Sequence, residues 1–133
     1  MVVKGNESLL EQAVVNLMEN ALRYTSAGGT VMVSVKQEMR DQVLDAQRTK
    51  DNTSTISLYA LVEVKDTGMG ISEEDQPKVF ERFYRTEKSR SKETGGTGLG
   101  LAIVKHVALT HGGDVSVKSA LGKGSTFTMR IPL

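Results

Sequence analysis

Leu58-Tyr59-Ala60-Leu61-Val62-Glu63-Val64-Lys65-Asp66-Thr67-Gly68-Met69-Gly70 decides the fold, because an alternating apolar run passes straight into an aspartate and a turn with two glycines. Alternation over Leu58 to Lys65 predicts a strand. Asp66 then stands at the strand end, where ligand groups commonly sit, and Gly68 and Gly70 let a flat ring approach the main chain. An aspartate so placed can accept a hydrogen bond from an exocyclic amine. The same residues also fit a plain Asp-x-Gly turn with no ligand; taken alone, the stretch leaves both readings open.

Further along lies a second glycine run, Gly96-Thr97-Gly98-Leu99-Gly100-Leu101. Leu99, Ala102, Ile103, His106 and Val107 recur at helical spacing, so the run opens a helix whose first N–H groups and dipole favour a phosphate. The run lacks the Gly-Lys-Ser/Thr ending of a Walker A loop. No strand leads directly into it, which also excludes the dinucleotide fingerprint. The residues before it, Thr86 to Thr94, are charged and serine-rich and are expected to be mobile.

Near the start of the chain, Leu9, Leu10, Ala13, Val14, Leu17, Met18, Ala21 and Leu22 predict a helix from about Glu7 to Tyr24. Asn16, Asn20 and Arg23 follow at offsets of four and three, placing two amides and a cation in one row. Asparagine is a poor helix former. Amide oxygens suit a hard cation such as Mg2+ that takes the rest of its shell from water and phosphate; solvated surface asparagines fit the row as well.

The whole chain has 133 residues and a net charge of +1, which suits one domain (1–133) and indicates neither a nucleic-acid nor a membrane surface. There is no apolar run long enough to span a bilayer, no signal peptide pattern and no internal repeat. Absence of cysteine removes disulfides and thiolate metal sites. The remaining elements are a strand over Thr30 to Lys36, a short helix after Gly70, and a hairpin of Asp114 to Ser119 and Ser125 to Ile131 turning at Leu121-Gly122-Lys123-Gly124. Hairpin strands with segregated helices give an α+β fold: a two-layer α/β sandwich whose mixed, mostly antiparallel sheet is covered on one face by helices. Val31, Val33 and Val35 are expected to face the helices. Gln37 to Ile56, polar apart from Val43-Leu44, reads as a surface insertion.

With these elements in order, a family resemblance can be stated. Asn16-Leu17-Met18-Glu19-Asn20-Ala21-Leu22-Arg23-Tyr24 resembles the N box of sensor histidine kinases, and Asp66 to Gly70 their G1 box. Phe80-Glu81-Arg82-Phe83-Tyr84-Arg85 resembles the F box, Gly96 to Leu101 the G2 box, and Gly122-Lys123-Gly124-Ser125-Thr126-Phe127 the last glycine box. They occur in the family's order over nearly the whole chain. The resemblance is to the catalytic and ATP-binding domain alone, within the group that includes gyrase, the heat-shock chaperones and mismatch-repair ATPases.

What it implies is phosphoryl transfer from ATP to a histidine on a separate helical dimerisation domain, with a response regulator downstream. By the same resemblance, Asp66 reads the adenine amine while Gly68, Gly70 and Ile71 wall the base. Asn16 and Asn20 hold Mg2+, Arg23 and Tyr24 lie beside the phosphates, and Gly96, Thr97, Gly98, Leu99 and Gly100 cradle the phosphate chain. Ser125 supports Asp66 through a hydroxyl or water. Arg85 is the candidate cation stabilising charge on the transferred group. Phe80 and Phe83 are expected as packing anchors of a lid spanning 80–100. The chain starts just before the N box, so it is expected to be an excised fragment; the resemblance implies a cytoplasmic domain of a parent anchored in a bacterial inner membrane.

Neither histidine is assigned a catalytic role: His106 reads as a helix-face residue and His111 as a cation favoured near a helix C-terminus. Arg23 stands where the family often has lysine, and Met69 where isoleucine is common. A gyrase-like ATP hydrolase carries its water-activating glutamate a helical turn before the second asparagine, a place held here by Asn16, so no carboxylate is expected to activate water. An anti-sigma-type serine kinase shares the N, G1 and G2 boxes. A nucleotide-binding module without transfer activity is the remaining alternative.

Overall fold

The computed structural model describes residues 1–42, 55–84 and 98–133. In chain order these form helix α1 (Glu7–Tyr24), strands β1 (Val31–Gln42) and β2 (Thr55–Asp66), a single 3-10 turn (Gln76–Lys78), helix α2 (Gly100–Thr110) and the hairpin β3 (Asp114–Ala120) and β4 (Gly124–Pro132). The strands make one sheet in the order β1-β2-β4-β3, with each of the three pairings antiparallel. Both helices lie on one face, giving the two-layer sandwich.

Helix α1 begins where Asn6 caps it, the side-chain oxygen accepting from the Leu9 N–H at 3.1 Å, which satisfies one of the donors a helix start leaves over. Ala13, Leu17 and Ala21, four residues apart, are fully buried. From α2 come Val104, Val107 and Ala108, and the sheet meets them with Val64, Phe127, Met129 and Ile131. Antiparallel register aligns Val33, Val64, Phe127 and Val117 in one row across all four strands. Phe127 is the largest fully buried side chain. It receives Phe80 edge-on, ring centroids 6.0 Å apart, an arrangement favoured by the ring quadrupoles.

The row also shows why one expectation fails. Val33 and Val35 point to the helix side, yet Val35 is 60% exposed and Val33 42%. The helices pack on each other above the central strands, and β1 is the sheet edge; only Val31, beside the end of α1, is packed against the core. The ladder from β1 to β2 runs on to Gln42 and Thr55, so the outer parts of the expected 37–56 insertion are paired strand. Its centre, 43–54, lies outside the described residues.

On the open face of the sheet, Arg130 of β4 spans the strands. Its Nε donates to Glu38 Oε2 of β1 at 3.3 Å, and one terminal nitrogen donates to Asp114 Oδ1 and Ser116 Oγ of β3 at 3.3 and 3.2 Å. Leu61, the register partner of both Lys36 and Arg130, is buried at 4% exposure on this face, as expected where long cationic side chains lay their apolar stems over a neighbour.

At the end of α2 the structure corrects the reading of His111. Its Nε2 accepts the Asn6 N–H at 3.0 Å, while Nδ1 lies 2.7 Å from the Val107 carbonyl oxygen. An acceptor at Nε2 and a donor at Nδ1 define the neutral ring. His111 therefore ties the start of α1 to the end of α2 as a neutral hydrogen-bonding group rather than as a cation.

Candidate nucleotide site

Asp66 closes β2, where it is 4% exposed. Its Oδ1 accepts the N–H of Gly68 at 2.9 Å and that of Ser125 at 3.3 Å; Oδ2 has no hydrogen-bond partner among the described residues. A buried carboxylate oxygen without a partner is costly unless a ligand completes it. Ser125 supports Asp66 as expected, but through its main-chain N–H. Its hydroxyl turns instead to Ser119 Oγ, 2.7 Å away.

The loop after Asp66 is held from three sides. Thr67 exchanges hydrogen bonds with Thr30, the Met69 N–H reaches the Tyr24 carbonyl at 3.3 Å, and the Met69 carbonyl accepts the Gly122 N–H at 2.8 Å. Gly70 has φ +74°, and a Cβ there would lie 2.1 Å from the Ala120 carbonyl oxygen. Only glycine fits that turn. Ile71 then donates its N–H to Ser119 Oγ at 2.7 Å.

Two adjoining cavities result. The smaller, about 70 Å³, is a slot lined by Asp66, Met69, Gly70, Ile71, Ser125 and Phe127. The larger, about 270 Å³, is lined by Asn16, Glu19 and Arg23 of α1 and by Gly98, Leu99, Gly100 and Ile103 around the start of α2. Asn20, Tyr24, Val79, Tyr84 and Leu101 border both. The slot is apolar with one carboxylate; its neighbour is polar and roomier. That pairing suits a ligand with a flat, amine-bearing end and a charged tail.

Helical periodicity delivered the asparagine row as expected. Asn16 spends its amide N–H on the Gly100 carbonyl at 3.4 Å, bridging α1 to α2, which leaves its oxygen for other partners. Helix α2 starts without a side-chain cap, so the first N–H groups of its opening turn have no intrahelical acceptor. Gly98 has φ +74°, and a Cβ there would meet Phe83 Cα at 2.8 Å; the Phe83 N–H donates to the Gly98 carbonyl at 2.8 Å.

Eleven expected residues thus border the cavities: Asn16, Asn20, Arg23, Tyr24, Asp66, Gly70, Ile71, Gly98, Leu99, Gly100 and Ser125. Gly68 lies beneath the slot as a donor to Asp66. Arg85, Gly96 and Thr97 fall outside the described residues. Phe80 anchors on Phe127, but Phe83 does not pack as expected: it is 69% exposed and has φ +62°, because its backbone pairing with Gly98 turns the ring outward.

Sequence reasoning missed Tyr84 and Glu19. The Tyr84 hydroxyl donates to Asp75 Oδ1. That bond, followed by one from the Ser72 hydroxyl, holds the Asp75 carboxyl below the ordinary carboxylate range. The aromatic beside Arg85 in the F box was the available signal for Tyr84. Glu19, adjacent to Asn20 and not at the position a turn earlier that Asn16 holds, lines the larger cavity all the same.

An α+β sandwich with a carboxylate-bearing slot beside a polar chamber at a helix start defines a nucleotide-binding ATPase-type domain. The description "Histidine kinase-, DNA gyrase B-, and HSP90-like ATPase" matches residues 5–133, and the chain belongs to that family. Sensor histidine kinase RppB of Synechocystis is 43% identical over 129 residues, covering 97% of this chain and 24% of RppB. SenX3 of Mycolicibacterium smegmatis, a sensor-like histidine kinase, is 45% identical over 130 residues, covering 98% of this chain and 29% of SenX3. Among solved structures, the mycobacterial sensor histidine kinase MprB superposes with a TM-score of 0.75 at 34% identity, over 98% of this chain and 76% of that one. Full-length ShkA, solved with AMPPNP, gives 0.70 at 29% identity, over 96% of this chain and 22% of that one. The chain thus spans about a quarter of the curated relatives it matches, and within the family it is a histidine kinase catalytic domain.

Proposed function

We propose that the domain binds Mg-ATP and transfers the γ-phosphate to a histidine on a separate helical dimerisation domain of the parent kinase, which passes it to a response regulator. The observation that carries this reading is the buried, unpartnered Oδ2 of Asp66 in a slot that opens onto the chamber between Asn16, Asn20 and the start of α2. In this reading Asp66 accepts from the adenine amine, with Gly68, Gly70 and Ile71 walling the base. Arg23, Tyr24 and the segment from Gly96 to Gly100 hold the phosphates, the N–H groups opening α2 facing their charge.

The donor set fits Mg2+: Asn16 and Asn20 offer amide oxygens, and no cluster of three or more His, Cys, Asp or Glu occurs among the described residues. Such a set leaves the rest of the shell to water and phosphate, as this cation prefers. When bound, it neutralises phosphate charge. Arg85 follows Tyr84, which borders both cavities, and is the residue proposed to stabilise charge on the transferred group. Among the described residues no helix is long and apolar enough to cross a membrane; the proposed setting is a cytoplasmic domain of a membrane-anchored parent.

Glu19 supports a second reading, ATP hydrolysis, because its carboxylate borders the chamber that would hold the phosphates. One assay separates the two. Incubation with γ-labelled ATP, alone and with an added phosphoacceptor domain, should label only the added histidine under the kinase reading. Rapid phosphate release by the chain alone, abolished by Glu19→Gln, would establish hydrolysis instead. Label on His106 or His111 would overturn the proposed division between domains.

A further inference from the structure

Tyr84 is, with Tyr24, one of two aromatic rings that border both the slot and the chamber. A ring in that position is within reach of an occupant of either compartment, so its placement matters to both ends of a nucleotide. Its hydroxyl is fixed by Asp75 Oδ1. The other Asp75 oxygen accepts the Ser72 hydroxyl at 2.8 Å, and the Asp75 N–H returns to Ser72 Oγ at 3.3 Å. Both carboxylate oxygens are therefore engaged, and the side chain has one orientation that satisfies them.

The loop that carries Asp75 is itself fastened to the sheet. Gln76 Nε2 donates to the Ile71 and Ser119 carbonyls, each at 3.0 Å, while Ser119 Oγ accepts the Ile71 N–H and donates to the Gly124 carbonyl at 2.9 Å. Ser119 Oγ also lies 2.7 Å from Ser125 Oγ, and the Ser125 N–H holds Asp66. One polar network thus sets the carboxylate on one side of the slot and, through Asp75, the ring on another. Charged acceptors give shorter and more directional bonds than neutral ones, which is what fixing a hydroxyl at the far end of a tyrosine requires.

We propose that Asp75 is a positioning residue for the nucleotide: by holding the Tyr84 hydroxyl it sets that ring as one wall shared by base slot and phosphate chamber. The proposal rests on the nucleotide reading of the site. It assigns Asp75 no contact with the ligand. Its effect passes through Tyr84 alone.

The test is calorimetry of ADP binding to the intact chain and to Asp75→Ala, Tyr84→Phe and the double variant. Thermal melts and fluorine NMR of 3-fluorotyrosine-labelled protein accompany it. A ring freed of its tether must be ordered again when ADP binds, which corresponds to an affinity loss of up to about tenfold. Each single variant should show it, and the double variant should be no weaker than either single. In Asp75→Ala the Tyr84 resonance should move while that of Tyr59, on β2, stays in place. Tyr84→Phe keeps the ring, so it reports on the tether even if Asp75→Ala were to unfold. Additive losses in the double variant, or an unmoved Tyr84 resonance with unchanged affinity, would overturn the proposal while leaving ADP binding by the parent chain intact. Failure of the parent chain to bind ADP would instead overturn the nucleotide reading and the proposal with it.

Discussion

Replacing Asp66 with asparagine tests the site at its most specific atom. Oδ1 already accepts from Gly68 and Ser125 at 2.9 and 3.3 Å, and an asparagine oxygen can keep both bonds. The NH2 group must then take the place of Oδ2, facing the slot, where it meets the adenine amine donor to donor. A hydrogen bond to a charged acceptor contributes about 1.5 to 3 kcal/mol, and leaving donors unpaired adds a cost of similar size. The lower bound alone corresponds to an affinity loss of about tenfold, and the upper to more than 100-fold. Because the two structural bonds survive, the melting temperature should change little. Calorimetry with ATP and GTP, beside a thermal melt, makes the comparison. The parent chain should prefer ATP, since guanine presents an oxygen where adenine presents the amine, and Asp66→Asn should lose most of that preference. Equal ATP and GTP affinities in the parent, or an Asp66→Asn variant that binds ATP unchanged, would refute the assignment of the slot to adenine.

Asn20→Ala should reduce the Mg2+ dependence of ATP binding while leaving ADP binding in EDTA nearly unchanged, as titrations with and without the cation will show. Gly98→Ala places a Cβ against Phe83 Cα at a φ of +74°, a conflict of about 1 to 3 kcal/mol; nucleotide affinity should fall by more than the melting temperature does, and unchanged affinity would show that the turn is dispensable. The Asp75 carboxyl is depressed chiefly by the Tyr84 hydroxyl. It therefore adds stability that is fully present above the ordinary carboxylate value of 3.8 and is lost as pH falls through the lower folded value. The melting-temperature gap between the parent chain and Asp75→Asn should accordingly be flat near neutrality and close only in acid; a gap that closes between pH 6 and 8 would point to another group.

The asparagine row was legible because helical period alone puts Asn16 and Asn20 on one side of α1, whichever neighbour that side meets. Asp66 was legible for a similar reason, since a strand running into Gly-x-Gly leaves its last residue at a sheet end. Both are local facts about a single element. Val33 and Val35 show where local reasoning stops: alternation correctly assigned them to the helix side, but coverage depends on where α1 and α2 come to rest, and those helices settle mainly over β2, β4 and β3. Burial at a sheet edge is a property of the packing partner, which no window of sequence around Val33 contains.

Tyr84 and His111 extend the same argument to the site. What places Tyr84 between the cavities is a hydrogen bond to Asp75, nine residues earlier, on a loop whose own anchor is Ser119 of β3. His111 takes its partner from Asn6, 105 residues away. Helix-dipole reasoning favoured a cation at His111 because it considered only the carbonyls of α2. The N–H arriving from the start of α1 needs a lone pair, and that decides the neutral ring. Residues whose role follows from the period or the end of their own element could be read in advance. Those whose role is set by a bond between distant segments became visible only once the sheet order brought the segments together.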